Sequence, residues 1–240
     1  MSISTSIIIR TKNEQKWIGT VLEKLKNQTY KDFEIVIVDS GSTDGTLNIA
    51  KKYTNHILHI EQKNFSYPYA LNIGCSYANA TDYLVMLSAH SIPISDTWLQ
   101  DGINDFVDDM IAGVYGNVWA LPDATVWEKI LFNKWIGELE IKLNKKKIIN
   151  KQKMGVLGFT NAIIRRDLWD NHHFDEKYGA GGEDGQWARY YLQRGYKIIV
   201  DPKFAVYHSH GLGIVGLYKQ YKYWKSLTKP REFNELKFRK

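Results

Sequence analysis

The fold of this chain follows from one stretch, Phe33-Glu34-Ile35-Val36-Ile37-Val38-Asp39-Ser40-Gly41-Ser42-Thr43-Asp44-Gly45-Thr46. Its unbroken run of Ile and Val predicts a strand that is buried on both faces, as in a parallel sheet. A turn of small polar residues follows, and a helical pattern then begins, with Ser42 or Thr43 as the predicted N-cap. Because ligands of open α/β sheets bind at the carboxyl ends of strands, we expect Asp39 and Ser40 to lie at a ligand site. An ordinary strand-to-helix turn would give the same local pattern.

The same alternation of strand and helix recurs through the first 90 residues. Apolar runs predict further strands over residues 6–10, 56–60 and 83–87. Apolar residues at helical spacing predict helices over residues 18–28, 47–53 and 70–80. Four such alternations with short loops predict right-handed parallel crossovers. We therefore expect an α/β fold in which residues 1–90 form a Rossmann-like, mostly parallel sheet flanked by helices.

The second half of the chain, residues 91–217, is less regular. Its patterns predict helices over residues 98–106, 126–143 and 183–194, and strands over residues 113–121, 159–164 and 197–200. The 126–143 helix is predicted to be amphipathic, and the basic stretch 145–153 is the predicted mobile loop. We expect a single domain over residues 1–217, followed by a basic, aromatic tail over residues 218–240.

The tail holds the whole net charge of the chain. Residues 218–240 contain eight Lys or Arg and two Glu, while the chain as a whole carries +6. Aromatic residues alternate with these charges, which predicts contact with an anionic membrane surface centred on residues 218–227. A solvated tail, or a helix that packs back on the domain, stays open as the alternative. The neutral body, without a nucleic-acid motif, predicts no nucleic-acid partner.

The cysteine content and the apolar runs limit the class of protein. A single cysteine, Cys75, excludes an internal disulfide and a multi-cysteine metal site, and its apolar neighbours predict burial. The N-terminus lacks the pattern of a signal peptide, and no run approaches the ~20 apolar residues of a spanning helix. We therefore expect a cytoplasmic protein, with peripheral attachment at the inner face of the cell membrane as the alternative.

Two groups of residues in the second half could carry chemistry. Glu183-Asp184 follows a glycine-rich turn and opens a predicted helix, where free backbone N–H groups favour an ionised general base. A plain acidic first turn would look the same. His208 and His210 follow a strand, and their spacing of two predicts opposite faces, so at most one would face a given site. Ser88-Ala89-His90 ends the fourth strand, where His90 could bind a metal ion or a phosphate.

Taken in order from residue 6 to residue 210, these pieces resemble the family-2 glycosyltransferases of the GT-A fold. The segment 7–14 looks like the strand and loop that hold the nucleotide, and 38–46 is similar to the motif that binds its base. The resemblance implies nucleotide-binding roles for a set of residues in the first half, which are Arg10, Thr11, Asn13, Glu14, Asp39, Ser40, Ser42 and Asn72. It implies sugar or acceptor contacts in the second half, at Gly158, Asn161, Gly182 and Trp187. Gly182-Glu183-Asp184 resembles the motif that supplies the base.

One departure from the family pattern concerns the metal. The family usually has Asp-x-Asp where this chain has Ser88-Ala89-His90, so no carboxylate stands at either ligand position. A divalent cation, Mn²⁺ or Mg²⁺, could be held by His90 with His208 or His210, and imidazole ligands suit Mn²⁺ better. The alternative is catalysis without a metal, with histidine, Lys or Arg neutralising the diphosphate.

The resemblance implies an inverting glycosyltransferase that moves one sugar from a nucleotide-sugar donor to a hydroxyl of a glycan or a lipid-linked glycan. Asp184 would be the general base, with Glu183 as the fallback, in the assembly of bacterial surface polysaccharide. A processive synthase is not predicted, because Gln193-Arg194-Gly195-Tyr196 differs from the Gln-x-x-Arg-Trp signature. Two alternatives are a sugar-nucleotide pyrophosphorylase, whose glycine-rich loop the segment 11–14 lacks, and a non-catalytic nucleotide-sugar-binding protein.

Overall fold

Four parallel strands form the half of the sheet that comes first in the chain. The computed structural model describes residues 4–151 and 156–227. Strands β1 (Thr5–Thr11), β2 (Phe33–Asp39), β3 (Ile57–His59) and β4 (Tyr83–Ser88) lie side by side in the order β3-β2-β1-β4. Every neighbouring pair in this group is parallel. The Rossmann-like half that the sequence predicts is therefore confirmed, and the β1 and β2 loops open at the same edge.

Helices connect these strands and pack on both faces of the sheet. They are α1 (Ile18–Lys26), α2 (Thr46–Ala50) and α3 (Tyr67–Tyr77). The predicted N-cap of α2 was wrong, because Gly45 occupies that position, and the Asp44 carboxylate one residue earlier accepts from the Thr46 N–H at 2.9 Å. The Ser42 hydroxyl instead donates to Asp39, and the Thr43 N–H donates to Asn13.

A mixed group of strands completes the sheet. These strands are β5 (Ile92–Pro93), β6 (Ile111–Trp119), β7 (Lys147–Ile149), β8 (Asn161–Arg165) and β9 (Lys197–Tyr207). Strand β8 lies antiparallel between β4 and β6, and β9 then runs parallel to β6. The other side of β9 pairs with β7 and with β5. Strand β9 is much longer than the predicted 197–200 segment. Its length determines where the residues after Tyr207 lie.

The segment 126–149 differs from its prediction in two ways. The predicted 126–143 helix is two helices, α5 (Val126–Leu131) and α6 (Lys134–Lys142), because the Asn133 side chain caps the second one. The predicted mobile loop at 145–153 contains β7, and Lys146 anchors its start with ion pairs to Asp105 and Asp201. Residues 152–155 of that prediction lie outside the described residues.

The remaining helices are α4 (Trp98–Ile103), α7 (Arg166–Asn171), α8 (Glu183–Leu192) and α9 (Ile214–Ser226). Helix α9 runs through the predicted boundary between residues 217 and 218, so the first part of the tail is helical. The rest of the tail, residues 228–240, lies outside the described residues. Within the described part of the chain, none of the helices is both long and apolar enough to cross a bilayer.

The apolar core lies on both faces of the sheet, as the unbroken apolar strands predict. On β1, Ile7 and Ile9 pack into one cluster while Ile8 packs into the other, because successive side chains point to opposite faces. Cys75 lies in the second of these clusters, which confirms its predicted burial, and this burial raises the pKa of its thiol. Both faces are therefore filled, which leaves the strand ends as the place for a site.

Candidate functional site

The loops after β1 and β2 are bonded to each other at the carboxyl edge of the sheet. The Asp39 carboxylate is 1% exposed, and it accepts from the N–H groups of Gly41 and Ser42 at 3.0 Å each. The Asn13 N–H donates to Ser42 Oγ at 2.9 Å, and the Thr43 N–H donates to Asn13 Oδ1 at 2.8 Å. Asp39 thus orders the turn that carries the predicted nucleotide-binding residues, so this edge is organised before any ligand arrives.

Other predicted nucleotide-binding residues differ in what they can offer a ligand. The Thr11 hydroxyl is buried at the end of β1 and has no hydrogen-bond partner among the described residues. Ser40 is buried beside it, and its N–H donates to the Thr11 carbonyl at 3.1 Å. The Asn72 amide exchanges two hydrogen bonds with the Phe174 backbone, at 2.9 and 3.1 Å, so it secures α3 and does not present itself to a nucleotide.

Arg10 joins the nucleotide edge to the predicted base. It leaves the end of β1 with its guanidinium 4.9 Å above the Tyr67 ring, and its Nη1 lies 3.6 Å from Glu183 Oε1. The same nitrogen donates to the Tyr67 carbonyl at 3.4 Å. Tyr67 was not among the predicted site residues, because an aromatic residue at the start of a helix carries no pattern that signals cation stacking. The guanidinium charge therefore lies between the end of β1 and the Glu183 carboxylate.

Glu183 and Asp184 form the first turn of α8, as predicted. Gly182 begins this helix with φ +97°, a conformation that favours glycine, and both carboxylates then reach the free N–H groups of the helix end. Burial and the nearby Asp184 charge raise the pKa of Glu183 to about 8, while Arg10 opposes them. Burial also raises the pKa of Asp184, and backbone hydrogen bonds from Gly185 and Phe159 oppose it.

Exposure separates the two carboxyl groups. Glu183 is buried against Arg10, whereas Asp184 is partly exposed. One oxygen of Asp184 accepts from the Gly185 N–H at 2.6 Å. Paired carboxyl groups in unlike environments divide the roles of proton holder and base between them. The arrangement suits a protonated Glu183 beside an Asp184 that can take a proton from a bound hydroxyl.

Three histidines meet at the other end of the site. One ring nitrogen from each of His90, His208 and His210 lies within 4.8 Å of the others. The His90 and His208 rings stack with centroids 4.4 Å apart, and the Nε2 atoms of His208 and His210 are 3.3 Å apart. The prediction that at most one of His208 and His210 could face a given site was wrong. Strand β9 ends at Tyr207, so the alternation of a strand does not apply to them.

The surroundings of His90 suit a metal ligand. Its Nδ1 lies 3.0 Å from Glu14 Oε1 and 3.4 Å from Ser88 Oγ, whereas its Nε2 is buried and unpartnered within the described residues. A carboxylate on one imidazole nitrogen holds the proton there and leaves the other nitrogen free to bind a cation. Ser91 Oγ lies 3.1 Å from His208 Nδ1 in the same way. The residues present therefore fit a divalent cation with imidazole ligands.

Two of the predicted sugar or acceptor residues are buried instead. Asn161 is 1% exposed, and its amide bonds to the Trp98 indole and to the Phe204 carbonyl at 3.1 and 2.7 Å. Trp187 is fully buried and donates to the His172 carbonyl at 2.8 Å. Neither presents a surface to a sugar here, because each completes the core beneath the site. Gly158 borders open space, and its role at the sugar or acceptor stays a prediction.

Helix α9 packs against the turn that precedes Glu183 and Asp184. The Tyr223 hydroxyl donates to the Ala180 carbonyl, and a Cβ placed on Gly182 would lie 2.5 Å from the Leu227 carbonyl oxygen. Leu227 also packs over Gly181. Neither Tyr223 nor Leu227 was predicted as a site residue. Their aromatic and apolar character is shared by the whole tail, so no sequence signal singles them out.

Comparisons of sequence agree with this geometry. Residues 6–172 match the family described as Glycosyl transferase family 2. The O-antigen chain rhamnosyltransferase WbaN of Salmonella anatum is 28% identical over 186 residues, which is 77% of this chain and 59% of that protein. A dolichyl N-acetyl-alpha-D-glucosaminyl phosphate 3-beta-D-2,3-diacetamido-2,3-dideoxy-beta-D-glucuronosyltransferase of Methanococcus voltae is 35% identical over 213 residues, or 82% and 64%. This chain thus spans about three fifths of their length.

Solved structures share the fold. The mannosyltransferase PcManGT from Pyrobaculum calidifontis, solved with GDP-Man and Mn²⁺, superposes with a TM-score of 0.68 at 18% identity and covers 95% of this chain and 65% of that one. Staphylococcus aureus TarS 1-349 in complex with UDP gives 0.65 at 19% identity, over 98% and 68%. The α/β sheet, the shared fold and the match over residues 6–172 lead to one conclusion. This chain belongs to glycosyl transferase family 2 and has the GT-A fold of the glycosyltransferases.

Proposed function

We propose that this chain is an inverting glycosyltransferase that moves one sugar from a nucleotide-sugar donor to a hydroxyl of a glycan or lipid-linked glycan. The observation that carries the proposal is the pair Glu183 and Asp184 on the first turn of α8, joined through Arg10 to the nucleotide edge. Family membership favours this activity over the pyrophosphorylase alternative. The O-antigen relatives support a place in the assembly of bacterial surface polysaccharide.

Asp184 is the general base in this proposal. It removes the proton of the acceptor hydroxyl as the oxygen attacks the anomeric carbon from the side opposite the diphosphate. The bond from that carbon to the diphosphate oxygen breaks, the nucleoside diphosphate leaves with the electron pair, and the proton stays on Asp184. Attack from the opposite side inverts the anomeric configuration. Glu183 stays protonated next to Arg10, so it does not compete for the proton.

The proposal includes a divalent cation at the histidine cluster. His90, His208 and His210 would hold it, and Glu14 would orient His90. When bound, a divalent cation offsets the charge of the leaving diphosphate. Imidazole ligands favour Mn²⁺ over Mg²⁺, which prefers oxygen ligands. Two fold neighbours, PcManGT and GalNAc-T7, were solved with Mn²⁺, which supports this assignment by analogy.

The nucleotide binds at the joined β1 and β2 loops in this account. Asp39 and Ser42 hold the turn in one shape, and Thr11 offers a buried hydroxyl without a partner among the described residues. These groups fix the donor so that its anomeric carbon faces the carboxylate pair. A peripheral location at the inner face of the cell membrane, with no nucleic-acid partner, completes the proposal.

The experiment that tests this function measures nucleoside diphosphate release and sugar transfer across a panel of nucleotide sugars and lipid-linked acceptors. Asp184→Asn keeps the size of the side chain but removes its basicity, so turnover should fall by ~10²-fold or more with little change in donor affinity. Glu183→Gln is the matched control, and it should retain more activity. Near-normal turnover of Asp184→Asn would refute the base assignment, and retention of the donor's configuration in the product would refute inversion.

A further inference from the structure

Helices α5 and α6 expose most of their large apolar side chains and bury other residues. The residue that α5 buries is Glu128, and the residue that α6 buries is Gly137, which packs against the Trp119 indole. Except for the half-buried Ile141, the apolar residues of both helices and Leu143 directly after α6 are exposed, and Trp135 reaches 81%. They are Val126, Trp127, Ile130, Leu131, Trp135, Ile136, Leu139 and Leu143.

Helix α9 begins next to the start of α5. The Thr125 hydroxyl, at the N-cap of α5, donates to the Leu212 carbonyl at 2.6 Å, two residues before α9 begins. Glu128 accepts from the His210 N–H at 2.9 Å. The exposed apolar residues of α9 are Ile214, Val215, Tyr218, Tyr221 and Trp224. We call these residues, with those of α5 and α6, the apolar face.

So many exposed large apolar side chains on three helices require an explanation. Monomeric proteins in water rarely expose contiguous apolar patches of more than a few hundred square ångströms, and larger ones mark contacts with proteins or membranes. The inversion of polarity on α5 and α6 strengthens the point. A helix whose apolar stripe faces outward gains nothing from folding unless something covers that stripe.

The charge of α9 identifies the occupant. This helix carries three lysines and no acidic residue. The ammonium groups of Lys222 and Lys225 lie 4.8 Å above the rings of Tyr218 and Tyr221. Aromatic residues interleaved with lysines suit the headgroup level of an anionic bilayer. A second copy of this chain would set two such helices against each other, and their like charges would repel.

We propose that the apolar face docks this protein on an anionic lipid bilayer. Side chains of α5 and α6 enter the boundary between headgroups and acyl chains, while the lysines of α9 contact anionic headgroups. In this proposal α5 and α6 supply most of the apolar anchor, and α9, which includes residues 218–226 of the predicted contact, supplies the charge. Glu128 links α5 to the backbone of His210, so the docked face adjoins the histidine cluster. If the proposed function holds, docking of this face on the bilayer brings a lipid-linked acceptor next to the site.

Vesicle co-sedimentation of the full chain tests the proposal. We expect binding to phosphatidylcholine vesicles that contain phosphatidylglycerol, weaker binding without it, and weakening by salt. Trp135→Glu and Ile130→Glu should each lower the partition coefficient by about tenfold or more. Val107→Glu is the matched control, because Val107 is 82% exposed and precedes β6, whereas α5 follows that strand. Circular dichroism verifies that each variant is folded.

Each of the following three outcomes would overturn the proposal. Equal binding by Trp135→Glu and Val107→Glu would show that the apolar face is not the contact. Lack of binding by the unchanged chain would remove the bilayer. A dimer that forms in solution without lipid and dissociates in Trp135→Glu would make a second copy the occupant. Because sedimentation is the readout, the result does not depend on whether sugar transfer is found.

Discussion

Replacement of Glu183 by Gln should stabilise this protein at alkaline pH and leave its stability at acidic pH unchanged. Burial raises the folded-state pKa of Glu183 to about 8 from its ordinary value of 4.5. Below the ordinary value the group is protonated in both the folded and the unfolded state, so folding is not penalised. As the pH rises toward 8, the unfolded state loses this proton while the folded state keeps it, and stability falls.

The size of this effect follows from the same two pKa values. At about 1.4 kcal/mol per pH unit, the loss between the ordinary and the folded-state pKa has an upper bound of about 5 kcal/mol. The Arg10 guanidinium, 3.6 Å from the carboxylate, already lowers this pKa, so its effect is contained in that bound. We therefore expect Glu183→Gln to exceed the unchanged protein by about 2–5 kcal/mol at alkaline pH, because Gln keeps the shape and cannot ionise.

Urea unfolding followed by circular dichroism at about pH 5, 7 and 8.5 measures the difference. The control is Glu61→Gln, since Glu61 is exposed and paired with Lys63 on the surface. A free-energy difference that grows with pH in Glu183→Gln and stays flat in the control is the expected result. Parallel curves for Glu183→Gln and the unchanged protein would refute the buried, protonated state on which the division of roles depends.

Two further predictions concern the nucleotide edge and the cation. Asp39→Ala removes the acceptor of the β2 turn, so we expect it to lower nucleoside diphosphate affinity by ~1–3 kcal/mol, or roughly 5- to 150-fold, in calorimetry. Unchanged affinity would move the nucleotide elsewhere. Mn²⁺ should raise the melting temperature of the unchanged protein more than Mg²⁺ does, and His90→Ala should abolish that rise; a rise that survives in His90→Ala would place the ion away from the histidines.

Local patterns predicted the first half of the fold because its strands have only one way to be buried. The Ile and Val side chains before Asp39 point to both faces of the strand, so both faces must be covered by other elements. This requirement predicts a central parallel strand. The glycine turn before Glu183 likewise predicted both the helix start and the carboxylate pair. In each case the residues that decide the structure are neighbours in the sequence.

The parts that escaped prediction depend on contacts between distant segments. Periodicity over residues 126–143 shows that apolar residues share a side of the helix, but it does not show whether that side faces the core. Here Gly137 fits against Trp119, so the larger residues face outward. The histidine cluster forms because β9 ends at Tyr207 and the chain then turns, which a spacing of two residues cannot reveal. The burial of Trp187 beneath α8 depends in the same way on the distant His172 carbonyl.

The histidine cluster and the contact of α9 with the turn before Glu183 both need segments that are synthesised late. Ser91 precedes its partner His208 by 117 residues, and Ala180 precedes Tyr223 by 43. At ribosomal speeds of roughly 5–20 residues per second, the first interval alone lasts roughly 6 to 23 seconds. The β1–β4 half therefore emerges with its nucleotide loops well before His208, His210 and α9 exist. Under the proposed function, a nascent chain has the loops that would bind the donor before Asp184, the proposed base, and the histidine cluster have been synthesised.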